Sequence, residues 1–546
     1  MSADVLLLNL TRFGDLLQSQ PLIQDLHDSG HRVGLVCLDN FAAALPLLRH
    51  VDAAWPLPGA KLMAALDRHW QTAASALLDL ARRIREEARP SRVVNLTPSL
   101  PGRLLAKLLA PSPEAVLGFG LDAEGFGVNR GIWSSFLSGA TLRRQNAPFN
   151  LVDMFRMVGA PLYAPGIAAR PGLFSLQTPP AEALAHADAL LAEPENPPEG
   201  GHIQGFVALQ LGASEARRQW PTAYFAALGD RLWREAGLCP VLLGAPAESP
   251  LAQEYAARAS APFVNAVGRT NIPQLAALLT RTRLLATNDT GTMHLAAGLG
   301  LPCLAFFLAT AQPWDTGPYL SGCCCLEPAL PCHPCPYNQA CPHDQVCLTR
   351  ISPRRAGDLI LARLESRDWQ AGLNPELCRE ARVWLTETDE FGFARVRSLS
   401  GHEREDRSLW LNRQRLFWRH ILDDLESTTD GAAARPARAE ARTPDAPPCS
   451  PAFAARVAPV LDQAARLLDM LAEQGRLTGK SSKAGQLFLL NCERLQNLLD
   501  ACPPLASLGY FWRELRQERG GRMDELLRLV DLLAGHLRRW AASMAV

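Results

Sequence analysis

The chain runs to 546 residues, 48% of them hydrophobic, which is too long for one compact core and calls for at least two folded units. Lysine plus arginine and aspartate plus glutamate balance at 55 each, which excludes a global field drawing the protein onto nucleic acid or an anionic bilayer and leaves only local contacts of that kind. Fourteen cysteines are diluted in so long a chain and many crowd between Cys323 and Cys347, which argues against a secreted disulfide scaffold and for a local site in a cytosolic protein.

The N-terminus has no basic region ahead of Val5–Leu10, and that apolar run has only the length of a strand, so no signal peptide is expected and the mature chain is expected to start here. Further short apolar runs follow at Arg32–Leu38, Arg92–Leu96 and Ala115–Phe119 with helical patterns between them, the alternation of parallel β-α-β units. Ala192–Gly205, rich in Pro, Gly and Glu, reads as an interdomain linker. A second series then begins with strands at Phe206–Leu211, Pro240–Leu243, Leu284–Thr287 and Cys303–Phe307. Leu295–Ala309 is broken by Gly298, Gly300 and Pro302 and is too short to span a bilayer, so it reads as a buried helix, a turn and a strand.

These patterns predict an α/β protein of GT-B type, two Rossmann-like domains facing a cleft, with a C-terminal helical extension. The first domain is expected over 1–191 and the second over 206–355. Residues 356–426 read as a connecting extension with strand-like pieces in 381–398. Residues 427–451, rich in Ala, Arg, Pro and Thr, read as a disordered linker, and 452–546 return to Leu-rich helical spacing as a helical module.

Chemistry concentrates at strand ends. Asp15 follows the first strand in Asn9-Leu10-Thr11-Arg12-Phe13-Gly14-Asp15, where open α/β sheets bind ligands; it also stands where an aspartate caps a helix. Gly14 permits a tight turn and a close backbone approach. Between a strand and a helix, Gly212–Pro221 combines a small-residue loop containing Ser214 with Arg217 and Arg218, a fork of donors suited to phosphate or simply a solvated loop. Glu248, in Gly244-Ala245-Pro246-Ala247-Glu248, offers a carboxylate to ribose hydroxyls or belongs to the surface. Asn288-Asp289-Thr290-Gly291-Thr292-Met293-His294 opens a helix, an arrangement able to hold a diphosphate or serve as a plain cap with a buried histidine.

Taken in order, the strand-x-x-x-G-D turn, the G-A-S…R-x-W-P loop, the G-A-P-x-E turn and the N-D-T-G-x-M-H segment resemble glycosyltransferase family 9, the heptosyltransferases, across about residues 1–355. The resemblance implies that Asp15 is a general base, that Arg218 meets the donor diphosphate where the family often has lysine, that Glu248 grips the nucleoside, and that Ser214, Asp289, Thr290, Gly291 and His294 line the donor. It further implies an inverting transfer of heptose, or a related sugar, from ADP-heptose to a lipopolysaccharide core. A carboxylate ionised at neutral pH accepts a proton once within hydrogen-bond reach. No D-x-D pair is aligned for Mg²⁺, so no cofactor is expected for catalysis. Alternatives are transfer to a protein acceptor and a non-catalytic sugar-nucleotide-binding scaffold. The chain is expected in the cytoplasm or at the inner face of the cytoplasmic membrane, with at most peripheral membrane contact and no nucleic acid partner.

Cys332, Cys335, Cys341 and Cys347 have spacings that can close a tetrahedral thiolate site, which suits a structural zinc or iron; reduced or disulfide-paired loop cysteines are the other possibility. Similar clusters occur near this position in some family members, and the resemblance implies a structural role.

Overall fold

Short apolar runs become parallel strands when both of their faces are covered. In the computed structural model, which describes residues 3–142, 144–197, 202–337, 339–427 and 448–544, four such runs form β1 (Val5–Leu8), β2 (Val33–Leu38), β3 (Ala53–Leu57) and β4 (Arg92–Asn95). They pair in the parallel order β3-β2-β1-β4. β5 (Val116–Leu121) and β6 (Gly127–Arg130) follow as an antiparallel hairpin.

The second series gives β7 (Gly205–Gln210), β8 (Leu238–Leu243), β9 (Val264–Asn265), β10 (Leu285–Asn288), β11 (Cys303–Phe306) and β12 (Cys324–Pro328). β13 (Ala381–Thr388) and β14 (Ala394–Ser398) complete an eight-stranded sheet of order β14-β13-β12-β11-β10-β7-β8-β9. Pairing is parallel from β9 to β12, while β13 and β14 are antiparallel. In both parallel series the chain first adds strands on one side and then returns to the other, between β1 and β4 and between β7 and β10. Those reversals are the switch points at which open α/β sheets bind ligands.

Residues 1–116 and 149–402 form one unit containing the parallel strands of both series; residues 117–148 and 403–546 form a second. This division differs from one read along the chain. The stretch expected as a connecting extension, 356–426, is shared between the units, because β13 and β14 have an open sheet edge to pair with at β12. The helix Pro353–Ser366 packs on the helix Thr222–Ala236, with Arg231 donating to Asp358 at 2.7 Å. In the expected linker 192–205, Glu195 bridges to Phe263, and residues 198–201 lie outside the described residues. Most of the tether expected over 427–451 also lies outside them, at 428–447. Leu295–Ala309 supplies the end of the helix Gly291–Gly298, a turn at Gly300 (φ +76°) and β11.

Within the first unit, a buried polar knot joins the two sheet systems. Arg156, in the helix Leu151–Gly159, donates to Asp25 at 2.7 Å and to the Arg170 carbonyl at 3.0 Å. Asp153, one turn earlier, accepts from the Tyr319 hydroxyl at 2.7 Å and from the Ala394 amide at 2.8 Å. Burial raises the Asp25 carboxyl above its ordinary pKa even with Arg156 beside it. Desolvation thus outweighs attraction at Asp25, whereas at Arg156 the surrounding Tyr319, Asp25 and Asp153 outweigh burial and raise the guanidinium above its ordinary value.

Beside most of the β5–β6 hairpin, the second unit consists of helices packed around aromatic side chains, with Trp410 stacked on Trp540 (4.6 Å), Phe417 on Trp540 (4.2 Å) and Trp418 edge-on to Phe511 (5.0 Å). Glu518 accepts from the Asn129 amide at 2.7 Å and from Ser135 Oγ at 3.3 Å. Burial pushes its carboxyl up from 4.5 to about 7. The folded state therefore binds this proton more tightly than the unfolded chain, and the associated stability is present at low pH and lost as pH rises through about 7. Urea denaturation of the parent protein should show an unfolding midpoint that declines between pH 5 and pH 8, and Glu518→Gln should flatten that decline. An unchanged pH profile in the variant would remove Glu518 as the cause.

Candidate functional site

The first switch point is shaped by side chains that bond back to the backbone. After β1, Asn9 accepts from the Thr11 amide at 3.2 Å and donates to the Asp15 carbonyl at 3.1 Å. The Leu10 amide donates to Thr97 Oγ1 at 2.8 Å, tying this turn to the one after β4. The helix Phe13–Gln18 begins here, with Asp15 in its first turn and half-buried. Asp15 Oδ2 accepts from the Arg12 amide at 3.3 Å, while Oδ1 makes no hydrogen bond among the described residues. Asp15 is therefore engaged at the helix start with one oxygen and has the other left to accept a proton.

The second switch point is organised by Asn288 at the end of β10. Its Oδ1 accepts from the Trp220 amide at 2.8 Å, and its Nδ2 donates to the carbonyls of Leu211 at 3.0 Å and Gly212 at 3.1 Å. Trp220 is fully buried, stacked on Phe306 at 4.2 Å with its indole N–H donating to the Ile351 carbonyl at 3.0 Å. The loop between them has both ends fixed. On it, buried Arg218 donates to Ser214 Oγ at 3.3 Å and is ion-paired with Asp289. Its Nε has no hydrogen-bond partner among the described residues. Thr290 Oγ1 lies 3.3 Å from Thr287 Oγ1, and Thr292 donates to Gln210 Oε1 at 2.9 Å, so the start of the helix Gly291–Gly298 is held to β7 and β10.

The two switch points meet through glycines. A methyl group on Gly14 would stand 2.9 Å from His294 Cδ2 and 3.4 Å from Gly291 Cα. One on Gly291 would stand 2.6 Å from Phe13 Cδ1 and 3.5 Å from the Gly14 nitrogen. Asp15 is thereby brought beside the helix start carrying Gly291 and His294, whose N-terminal amides form a partial positive charge suited to an anion. Glu248 reaches the same strand ends from the turn after β8. Its Oε2 accepts from the Ala245 amide at 2.6 Å, and its Oε1 occupies the space beside Gly212, 1.4 Å from where a β-carbon would stand.

Every residue expected to bind donor or act as base thus borders one constellation. Sequence reasoning missed Asn288, Gln210 and Thr292 as its organisers; the signal for Asn288 was a polar residue closing an apolar strand. A cavity of about 250 Å³, lined by Phe174, Trp314, Tyr319 and the β13–β14 ladder, shares no residue with it.

The cysteines divide into two sets. Cys323, Cys324 and Cys325 are buried at β12, where burial pushes the Cys324 and Cys325 thiols up. They belong to the sheet core and not to the loop. Cys335 and Cys347 also have raised thiols, first from burial and then from repulsion by neighbours that for each include Cys332 and Cys341. The loop set lies within electrostatic reach of one another, yet among the described residues no three His, Cys, Asp or Glu side chains are gathered so as to hold a metal ion. Cys332 and Cys341 are turned to solvent while Cys347 is buried, so the expected four-thiolate site is not closed. The Cys335 amide donates to the Ala309 carbonyl at 2.8 Å, and Arg217 donates to the Gln339 carbonyl at 3.2 Å, linking this loop to the Arg218 loop.

The Gly212–Glu248 contact can be tested by stability alone. Gly212→Ala should swing the carboxylate away and cost roughly 0.5–1.5 kcal/mol, the worth of the Ala245 hydrogen bond, whereas the same change in a Glu248→Ala background should cost close to nothing. Equal costs in the two backgrounds, measured by denaturant unfolding, would contradict the contact.

Residues 174–344 match the family model of glycosyltransferase family 9 (heptosyltransferase). Lipopolysaccharide heptosyltransferase 1 of Pseudomonas aeruginosa is 29% identical over 170 residues, which cover 28% of this chain and 46% of that protein. Lipooligosaccharide heptosyltransferase 2 of Haemophilus influenzae is 29% identical over 103 residues, 18% of this chain and 29% of the relative. The chain thus spans less than half the length of these curated relatives. The structure of the ADP-heptose lps heptosyltransferase II of E. coli superposes with a TM-score of 0.48 at 19% identity, covering 67% of this chain and 99% of the other. Two Rossmann-like sheets meeting at their switch points give the chain the architecture of a GT-B fold, and its segment 174–344 is similar to glycosyltransferase family 9 (heptosyltransferase).

Proposed function

We propose that the chain is an inverting glycosyltransferase that moves heptose, or a related sugar, from ADP-heptose to a lipopolysaccharide core or similar acceptor. The observation that carries this reading is the Gly14–Gly291 apposition, which sets a carboxylate with an open oxygen beside a helix start suited to a diphosphate. The names of the curated relatives support the sugar and the class of acceptor.

In this mechanism Asp15 Oδ1 takes the proton from an acceptor hydroxyl as its oxygen attacks the anomeric carbon. The bond from that carbon to the diphosphate oxygen breaks with inversion, and the nucleoside diphosphate leaves. Its developing charge is met by the amides at Gly291 and Thr292 and by Arg218, whose ion pair with Asp289 and bond to Ser214 hold the guanidinium before the ligand arrives. Thr290 and His294 line the same side, and Glu248 accepts hydrogen bonds from the nucleoside. No step in this scheme calls for a catalytic metal. The reading takes the reaction to occur in the cytoplasm or at the inner face of the cytoplasmic membrane. Among the described residues no helix is long and apolar enough to cross a membrane.

Asp15→Asn should preserve nucleotide affinity and lower turnover by roughly 10²- to 10⁴-fold, the usual weight of a general base. Turnover close to that of the parent protein, with ADP-heptose and an acceptor saccharide, would reduce Asp15 to its bond with the Arg12 amide.

For the loop cysteines we propose a structural zinc or iron that draws Cys332, Cys335, Cys341 and Cys347 together and displaces their thiol protons on binding. Elemental analysis of protein prepared without affinity-tag metals should find about one zinc or iron per chain, abolished in Cys335→Ser/Cys341→Ser. Metal-free protein with unchanged melting behaviour would assign these cysteines to the loop alone.

A further inference from the structure

We propose that the cavity between the β13–β14 hairpin and the segments 172–174 and 313–321 is a second binding site, which takes one neutral sugar ring. It lies wholly within the first unit, has a volume of about 250 Å³ and is bordered by none of the residues proposed as base or donor contacts. The inference therefore goes beyond the proposed transfer reaction and does not depend on it.

The hairpin supplies one wall. Successive residues of a strand point to opposite faces, so Thr386 and Thr388 on β13 share a face with their partners Val396 and Ala394 on β14. Trp384 belongs to the same face, and its ring meets that of Trp314 at 5.6 Å between centroids. Aromatic rings make the other walls: Trp314, only 4% exposed, the buried Phe174, and Tyr319, whose ring stands edge-on to Phe174 at 6.5 Å. Bonds within the protein hold these walls. Asn150 donates to the Gly317 carbonyl at 3.0 Å, and the Tyr319 hydroxyl is engaged with Asp153 at 2.7 Å.

The polar groups open to an occupant are few. Ser321 and Thr388 are exposed at the rim with their hydroxyls 3.3 Å apart. The Thr386 hydroxyl is already bonded both ways, accepting from the Cys323 amide at 2.9 Å and donating to the Leu320 carbonyl. By contrast, the indole N–H of Trp314 has no hydrogen-bond partner among the described residues. A buried donor without an acceptor costs free energy, which an oxygen of the occupant recovers.

These features select the chemistry. Glu387 and Arg395, the one carboxylate and the one guanidinium that border the cavity, are paired with each other at 3.2 Å, so the site favours neither an anion nor a cation. Aromatic faces are electron-rich and attract the weakly positive C–H groups that a pyranose presents on one side. The hydroxyls of the same ring both donate and accept, as Ser321, Thr388 and the Trp314 N–H require. Pockets for drug-sized ligands span about 300–1,000 Å³, so this smaller cavity suits a single ring and not a nucleotide. A flat aromatic molecule would match the walls alone and leave the N–H and the rim hydroxyls without partners.

Saturation-transfer NMR on the full chain with the methyl glycosides of glucose, galactose and mannose should show saturable binding of at least one of them. Thr388→Phe, a change at an exposed rim position that places a ring in the cavity, should abolish the signal. Trp314→Phe keeps an aromatic wall and removes the donor, and should weaken binding between about two- and twelve-fold, the span of one hydrogen bond. Arg218→Ala, in the proposed donor site, should leave this binding unchanged. Melting temperatures will show that the variants fold, and Thr388→Phe keeps the proposal testable even where Trp314→Phe does not fold. A trisaccharide ending in the bound sugar separates two sources of the ring: tighter binding of the trisaccharide assigns the end of a glycan, and tighter binding of the methyl glycoside a free sugar. No saturable binding of any of the glycosides, preference for indole over all of them, binding that survives Thr388→Phe, a Trp314→Phe variant that binds like the parent, or loss of binding in Arg218→Ala would each overturn the proposal. No turnover enters this assay, so its failure leaves the proposed transfer reaction standing, and an inactive transferase could still bind the sugar.

Discussion

The close approach of Gly14 and Gly291 is the constraint on which the candidate site depends. Each belongs to the start of a helix that follows a strand at a switch point, and neither position has room for a β-carbon without displacing Phe13 or His294. Because the helix starts can come this close, a carboxylate on one and backbone amides on the other border a common space. Larger residues would push them apart and separate the Asp15 carboxylate from the amides of the facing helix start, with every other side chain still in its proper place.

Around that contact the supporting bonds run back into the two sheets. Asn9 and Thr97 fix the first turn, and Asn288, Trp220 and Gln210 fix the second. The Asp25–Arg156 pair and the Asp153–Tyr319 bond then connect the two systems where no ligand chemistry is expected. Rigid turns and a buried polar connection together give the site a geometry set before any ligand arrives, which is the condition for electrostatic stabilisation without reorganisation.

Much of this was legible in the sequence, and the exceptions have physical reasons. The buried parallel strands read clearly because both faces are apolar. β3 was missed because Pro56 breaks the pattern; as the outer strand of its parallel series it tolerates a residue without an amide proton. β12 was missed because its cysteines suggested ligands, whereas buried thiols there behave as small apolar side chains. Gly14 was expected for both a tight turn and a close approach, and only the second applies, since its φ is not positive. The partner responsible lies far along the chain and cannot be seen from local pattern. The same holds for Asn288, whose acceptor carbonyls are 76 and 77 residues away. Residues 117–148 lie among sequence that otherwise belongs to the first unit, and their assignment with 403–546 is likewise invisible to local periodicity.

The hairpin of β13 and β14 bears on where the chain can be divided. The family-model match ends at residue 344, which invites a cut soon after it. β12 would then present its backbone N–H and C=O groups unpaired along a strand of buried residues, and Glu327, fully buried, would lose the indole N–H of Trp384 that donates to it at 2.8 Å. An open apolar edge is a template for pairing with another molecule of the same kind. The two added strands therefore act as a cover against aggregation, and the smallest part of the chain that keeps β12 paired ends beyond Ser398, well past the family-model boundary.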